Sequence, residues 1–421
     1  MYFMKLYNII LENMIQEKLK KHGLFILLIA MWFGCKDIPK QDNDSKIQHI
    51  NLVKQLKFRP QFHFTPKANW MNDPNGLVYY KDKYHLFYQY YPDSTVWGPM
   101  HWGHAKSKDL LYWEHMPIAL YPDSLGYIFS GSAVIDRNNT AGFGKDAMIA
   151  IFTYHDPIKE KEGSVLFQTQ GLAYSNDEGA TWLKYQDNPI IENPGIRDFR
   201  DPKVFWNEDR LMWQMLLVAK DHVQIYESSN LKKWIKISEF HFDDTENLGV
   251  WECPDLFKLK VEDSTEEKWV LIVSHGDGAP NGGSGTRYFV GDYDGITFTT
   301  NQKSSQWIDY GTDNYAGVTY NNTPDNKRIF IGWMSNWNYA ISTPTETWRS
   351  AMTLPRELSL LKEKDIYYVK SNLIDGFRGL YTEIPENEIK GNFPFKFEYA
   401  NLQQSVISFD VDFFNFYGRY F

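Results

Sequence analysis

Hydrophobic positions in this chain gather into short runs at a regular spacing rather than into long amphipathic stripes. Five apolar, β-prone runs stand out, at 84–90, 148–154, 211–219, 269–274 and 328–333, and their starts are 64, 63, 58 and 59 residues apart. Ahead of each lies a shorter apolar segment, at 76–79, 131–134, 202–205, 254–257 and 316–319. Behind four of them a small polar turn precedes an aromatic: Ser107-Lys108-Asp109 with Trp113, Ser175-Asn176-Asp177 with Trp182, Ser228-Ser229-Asn230 with Trp234, and Gly291-Asp292 with Phe298. Five units of about 60 residues, each built of short strands with Gly, Asn and Asp turns, predict an all-β fold, a five-bladed β-propeller over 59–357. A sandwich or jelly roll would give no fivefold echo. No stretch between 58 and 355 carries a helical period, which sets α/β folds aside.

The pattern breaks after Leu354-Pro355-Arg356, and 367–370 begins something new. A linker-like stretch at 384–392 leads to 406–412, which alternates as a half-buried strand does. Residues 365–421 are read as an incomplete second β domain, sandwich-like. At the other end, 1–35 reads as an export signal. Lys18, Lys20 and Lys21 precede an apolar run from Gly23 to Gly34, too short for a comfortable membrane span. Met14 is an alternative start. Cys35 stands where a bacterial lipoprotein carries its acylated cysteine, which predicts lipid attachment at Cys35, a tether over 36–58, and membrane contact only through that anchor. Cys253 is the only other cysteine, so a lipidated Cys35 leaves no intramolecular disulfide.

Charge narrows the partners. A net charge of -9 and a pI near 5.7 argue against nucleic acid, and a neutral or cationic ligand is the simpler expectation. Aromatic residues make up 17% of the chain, enough for a β-rich core and for rings that stack on sugars. No metal or organic cofactor is implied, and a monomer is expected.

In a propeller the first strand of each blade is innermost, so equivalent ends of those strands face one another around the axis. The five inner strands are expected to begin at Asp73, Ser130, Asp201, Glu252 and Tyr315, which puts three carboxylates at equivalent positions of distant segments. Packing gives no reason for this, because crowded like charges repel. A pair of carboxyl groups that divide nucleophile and acid work does, as in retaining glycoside hydrolysis. Asp73, held extended by Pro74, suits the nucleophile. Arg200 beside Asp201 is expected to hold that carboxylate ionised as an anchor for hydroxyls. Glu252, between Trp251 and Cys253-Pro254, has an apolar setting suited to the acid/base.

Together, Trp70-Met71-Asn72-Asp73-Pro74-Asn75-Gly76, Phe129-Ser130-Gly131-Ser132, Arg200-Asp201-Pro202 and Trp251-Glu252-Cys253-Pro254 resemble the signature motifs of the glycoside hydrolase family 32 β-fructosidases, which include invertases, inulinases and levanases. The resemblance runs from about Phe62 to Pro355. It implies a nucleophile at Asp73, a transition-state stabiliser at Asp201 and an acid/base at Glu252. It also implies a fructosyl pocket lined by Asn72, Gln89, Trp97, Phe129, Ser130, Arg200 and Trp337, with Tyr315 on the same rim, and fructan or sucrose as substrate. A fructosyltransferase and an inactive sugar-binding lipoprotein are the alternatives. The family's C-terminal β-sandwich is represented here by about its first third.

Other features receive plainer readings. His101 and His104 point to opposite faces of a strand and are not read as metal ligands. Residues 275–285 look like a phosphate loop, but no Lys-Ser/Thr follows, and a loop near the mouth is expected instead. Cys253 is read as packing, and Asp156-Pro157 is left out of the site.

Overall fold

The computed structural model describes residues 57–242 and 248–379; the export signal, Cys35, most of the tether and the strand expected at 406–412 lie outside them. Each blade is an antiparallel sheet wound outward in chain order. Blade one holds β1 (Asn69–Tyr80), β2 (Lys83–Tyr91), β3 (His101–Ser107) and β4 (Glu114–His115). Blade two holds β5 (Tyr127–Asp136), β6 (Ala147–His155), β7 (Gln168–Ser175) and β8 (Leu183–Lys184). Blade three holds β9 (Phe199–Asn207), β10 (Met212–Ala219), β11 (Val223–Ser228) and β12 (Ile235–Phe240). Blade four holds β13 (Trp251–Lys260), β14 (Glu267–His275), β15 (Gly285–Tyr293) and β16 (Phe298–Thr299), with β17 (Gln306–Trp307) also on β15. Blade five begins with β18 (Tyr315–Thr319) and β19 (Ile329–Met334); β20 (Trp348–Arg349) leaves it to pair with β1, and β21 (Ala351–Met352) returns to β19.

The five spaced apolar runs are the second strands β2, β6, β10, β14 and β19. They are mostly apolar because the sheet on either side and the next blades above and below bury both faces; β6 is buried at all nine positions. Five apolar clusters fill the five spaces between neighbouring blades, for instance Phe87, Trp102, Ala150 and Phe152 between blades one and two. The polar echo is turn chemistry. Ser107, Ser175 and Ser228 end β3, β7 and β11, and each hydroxyl accepts from a backbone N–H two residues on; Asp109, Asp177 and Asn230 accept from the next ones.

One boundary differs from expectation. Propeller pairing does not stop at 357: β22 (Arg356–Glu363) pairs with β19, and β23 (Ile366–Leu373) pairs with β22 over its whole length. Residues 365–373, assigned from the sequence to a second domain, are therefore the outermost strand of blade five. The long connection at 335–355, which carries β20 and β21, delays these strands in sequence and hides the repeat.

The ring closes between blades five and one. β20 runs parallel to β1 through Asn69 and Trp348, and Asn321 donates to Leu77 O and accepts from Tyr79 N, both at 2.9 Å. Deeper on the axis, Lys203 from blade three lies 3.0 Å from Asp255 of blade four, and Asp255 also accepts from the backbone and hydroxyl of Thr319 in blade five at 2.7 and 2.8 Å. His104 is buried against His85, 3.0 Å between ring nitrogens, whereas His101 packs on Tyr121 on the other face, which gives both a structural place.

Candidate active site

All five inner strands carry the same irregularity, one extra residue opposite the second strand. The ladder breaks between Met71 and Pro74, Ile128 and Gly131, Arg200 and Lys203, Glu252 and Asp255, and Tyr315 and Val318. Such bulges re-aim side chains, and here they turn the strand ends toward the axis. The register also corrects the expected alignment. Glu252 and Tyr315 share the first position with Met71, Ile128 and Arg200; Asp201 stands at the second with Asn72, Phe129, Cys253 and Ala316; Asp73 and Ser130 stand at the third. The three carboxylates thus occupy three successive levels of the funnel, the long glutamate first and Asp73 deepest. They surround a volume instead of crowding one ring.

That volume is a cavity of about 460 Å³ lined from all five blades. Every residue predicted for the site lines it: Asn72, Asp73, Gln89, Trp97, Phe129, Ser130, Arg200, Asp201, Glu252, Tyr315 and Trp337. Asp73 is oriented by a relay in which Trp70 Nε1 donates to Asn72 Oδ1 at 2.7 Å and Asn72 Nδ2 donates to Asp73 Oδ1 at 3.0 Å. Trp337 stacks on Trp70 behind it. Asp201 has a left-handed backbone, φ 64°, a strained setting for a non-glycine residue. Its N–H donates to Thr153 Oγ1 at 3.0 Å, and its carboxylate accepts from Cys253 N at 2.9 Å. Cys253 is buried, with its sulfur 3.6 Å from the same carboxylate, so it supports Asp201.

Electrostatics change two expectations. Arg200 was expected to serve Asp201, yet its Nε is 4.0 Å away from that carboxylate, while Nη2 donates to Glu252 Oε1 at 3.0 Å and Nη1 to Asp198 Oδ1 at 2.6 Å. Burial therefore outweighs the arginine and pushes Asp201 up to about 6, with Glu252 adding repulsion. The apolar setting expected for Glu252 is not what it has: Arg200 holds one oxygen and the Tyr315 hydroxyl donates to the other. Asp73 is pushed up to about 7, first by burial and then by the negative charges of Glu252 and Asp201, against the opposing hydrogen bond from Asn72.

That shift carries a stability cost. An Asp73 with a folded pKa near 7 and an unfolded value of 3.8 holds a proton in the folded state that the unfolded chain has already lost, so it lowers stability as pH rises from about 4 to about 7. Asp73→Asn is expected to raise the melting temperature at pH 8, and the gain should vanish by pH 4. At about 1.4 kcal/mol per unit, discounted because Asp73 keeps a window on the cavity, the gain is about 1–3 kcal/mol. Thermal melts of both proteins at the two pH values check this; an equal gain at both would remove ionisation as its cause.

Five lining residues escaped sequence reading: His155, Glu160, Phe167, Gln168 and Asp198. Four come from the facing ends of β6 and β7 and their connection: His155 closes β6, Glu160 and Phe167 lie between the strands, and Gln168 opens β7. Asp156 is outside the lining; it caps the short helix Pro157–Lys161, accepting from Ile158 N at 3.0 Å, and so presents its neighbours. His155 stacks on Phe129 at 4.2 Å and lies 3.1 Å from Glu160. The Asp-Pro dipeptide was the available signal. The loop after β14 reaches the mouth, where Ser284 Oγ accepts from Trp337 N at 3.3 Å.

Fold and site together define the class, a five-bladed β-propeller with a carboxylate-lined axial cavity. Residues 63–371 match the Glycosyl hydrolases family 32 N-terminal domain, and the chain belongs to that family. It is 56% identical over 347 residues to a levanase of Bacillus subtilis, covering 80% of this chain and 48% of that protein. It is 44% identical over 334 residues to an extracellular exo-inulinase of Aspergillus niger, covering 72% and 62%. The crystal structure of exo-inulinase from Aspergillus awamori matches with a TM-score of 0.71 at 40% identity, covering 76% of this chain and 68% of that one. The chain thus spans about half the length of the levanase and about three fifths of the Aspergillus niger exo-inulinase.

Proposed function

We propose that the protein is a retaining glycoside hydrolase that removes terminal β-D-fructofuranosyl units from fructans or sucrose. The observation that carries this reading is the convergence of Asp73, Asp201 and Glu252, from three blades, on one cavity whose wall also offers aromatic rings (Trp97, Phe129, Trp337) and amides (Asn72, Gln89). Asp73 attacks the anomeric carbon and forms a fructosyl ester, while Glu252 passes a proton to the departing oxygen. Glu252 then takes a proton from water, which attacks the same carbon and releases fructose with retained configuration. Asp201, fixed by Cys253 N, accepts from sugar hydroxyls, and Arg200 and Tyr315 hold Glu252 in place. Walls from all five blades close the cavity on every side, so a polymer enters end first, which favours exo action. The names of the levanase and exo-inulinase relatives support a fructan substrate. Export by the segment 1–35, with lipid attachment at Cys35, belongs to the same reading.

Incubating the protein with levan, inulin and sucrose and following products over time tests the proposal. Free fructose from the start, without intermediate oligosaccharides, is the expected result. Polymer built from sucrose would instead identify a transferase, and binding without release a sugar sensor.

A further inference from the structure

Blade three carries a second cluster of ligating groups, none of which lines the cavity. His222 and His241 flank the hairpin of β11 and β12, whose register pairs Val223 with Phe240 and Gln224 with Glu239. Continuing that register by one residue sets His222 opposite His241. Alternation along each strand then brings His222, Gln224, Glu239 and His241 to one face. The imidazoles stack with centroids 4.2 Å apart, and Glu239 reaches both, at 3.1 Å from His241 Nε2 and 4.0 Å from His222 Nε2. One ligand atom from each of the three lies within 4.8 Å of the others.

The hydrogen bonds around His222 prepare it as a ligand. Its Nδ1 lies 3.3 Å from Asp221 Oδ1, where only an N–H satisfies the carboxylate. Gln224 Oε1 accepts from the Tyr226 hydroxyl at 2.7 Å, which turns the amide nitrogen toward His222 Nε2 at 3.4 Å. A donor on that side requires a lone pair on Nε2. A carboxylate behind Nδ1 and an Nε2 lone pair toward Glu239, occupied only by the long 3.4 Å contact from the Gln224 amide that an ion would displace, form the arrangement that orients histidine on metal ions.

We propose that His222, Glu239 and His241 bind one divalent ion of the zinc type, with water completing the coordination. Two imidazoles and one carboxylate suit Zn²⁺, and Cu²⁺ or Ni²⁺ by the same ligand preference, whereas Ca²⁺ and Mg²⁺ take oxygen ligands. A small rotation of the His241 ring unstacks it and opens the space between the nitrogens. The competitor is Lys236, whose ammonium lies 3.0 Å from Glu239 Oε2 and holds the carboxylate against the ion. That pair is half exposed, so displacing it costs little.

Titrating the metal-free, untagged full chain with zinc chloride by calorimetry, with thermal melts in parallel, tests the site. One equivalent of Zn²⁺ is expected to bind and to raise the melting temperature, with no comparable effect of Ca²⁺. His222→Ala and His241→Ala should each weaken binding by about 100-fold or more, since loss even of a supporting partner costs roughly 10–100-fold. Both should melt like the parent without zinc, as should Lys236→Ala, which is expected to bind zinc severalfold more tightly. No uptake by the parent, or equal uptake by His241→Ala, would overturn the proposal, and so would weaker binding in Lys236→Ala.

Discussion

Replacing Asp73 by alanine is expected to lower turnover of sucrose or a fructan by roughly 10⁴–10⁶-fold, the scale seen when a covalent nucleophile is lost. Substrate affinity should change far less, because the other lining groups remain. Glu252→Ala should lose about 10²–10⁴-fold, since only proton transfer is removed. The two variants separate by rescue. Azide needs no deprotonation, so with Glu252→Ala and a substrate bearing a good leaving group it should restore turnover and yield a fructosyl azide of retained configuration. Asp73→Ala forms no ester and should give no such product. Thermal melts of both variants beside the parent separate lost chemistry from lost folding, since Asp73→Ala removes a buried charge and also the acceptor of the Asn72 hydrogen bond. Parental rates in Asp73→Ala, or an inverted product from the parent, would refute the assignment.

Asp255→Ala is expected to cost about 3–5 kcal/mol of stability, the usual penalty for leaving a buried charge without its partner. Lys203 and Asp255 are both almost fully enclosed, and burial alone already lowers the pKa of Lys203. Removing the carboxylate leaves that ammonium without a counter-charge, holding only the Thr319 carbonyl, and strands the N–H and hydroxyl of Thr319, at the point where blades three, four and five meet. Urea unfolding measures the loss. Because desolvation rather than attraction dominates such pairs, the double variant Lys203→Met/Asp255→Leu should recover most of it. A loss under about 1 kcal/mol in the single variant would mean that water reaches the pair.

How much of this was legible in the chain depended on burial. Second strands such as β6 are buried on both faces and announce themselves as apolar runs. The outer strand β23 alternates exposed and half-buried positions, a weaker signal, and the long insert before it carried it out of step. Asp73, Asp201 and Glu252 could be named because each sits in a distinctive motif, but their relative levels could not. A bulge adds one residue to a strand without changing its composition, so no pattern of residue types reveals it. Nor could the partner of Arg200 be read: the adjacent Asp201 was the obvious choice, and the side chain instead spans to Glu252 in the next blade. Glu160 was invisible for a related reason, since it reaches the cavity from a connection whose course only the fold defines.

The pairing of β20 with β1 sets a schedule for synthesis. Asn69 leaves the ribosome about 280 residues before its partner Trp348, which at roughly 5–20 residues per second is a wait of tens of seconds. Throughout it, the strand that holds Asp73 has an unsealed flank, and for most of it Tyr315 and Trp337, which complete its cavity, have yet to be made. A nascent chain therefore has no complete cavity until nearly the whole propeller has emerged, and chaperones that shield open strand edges have their longest task at blade one.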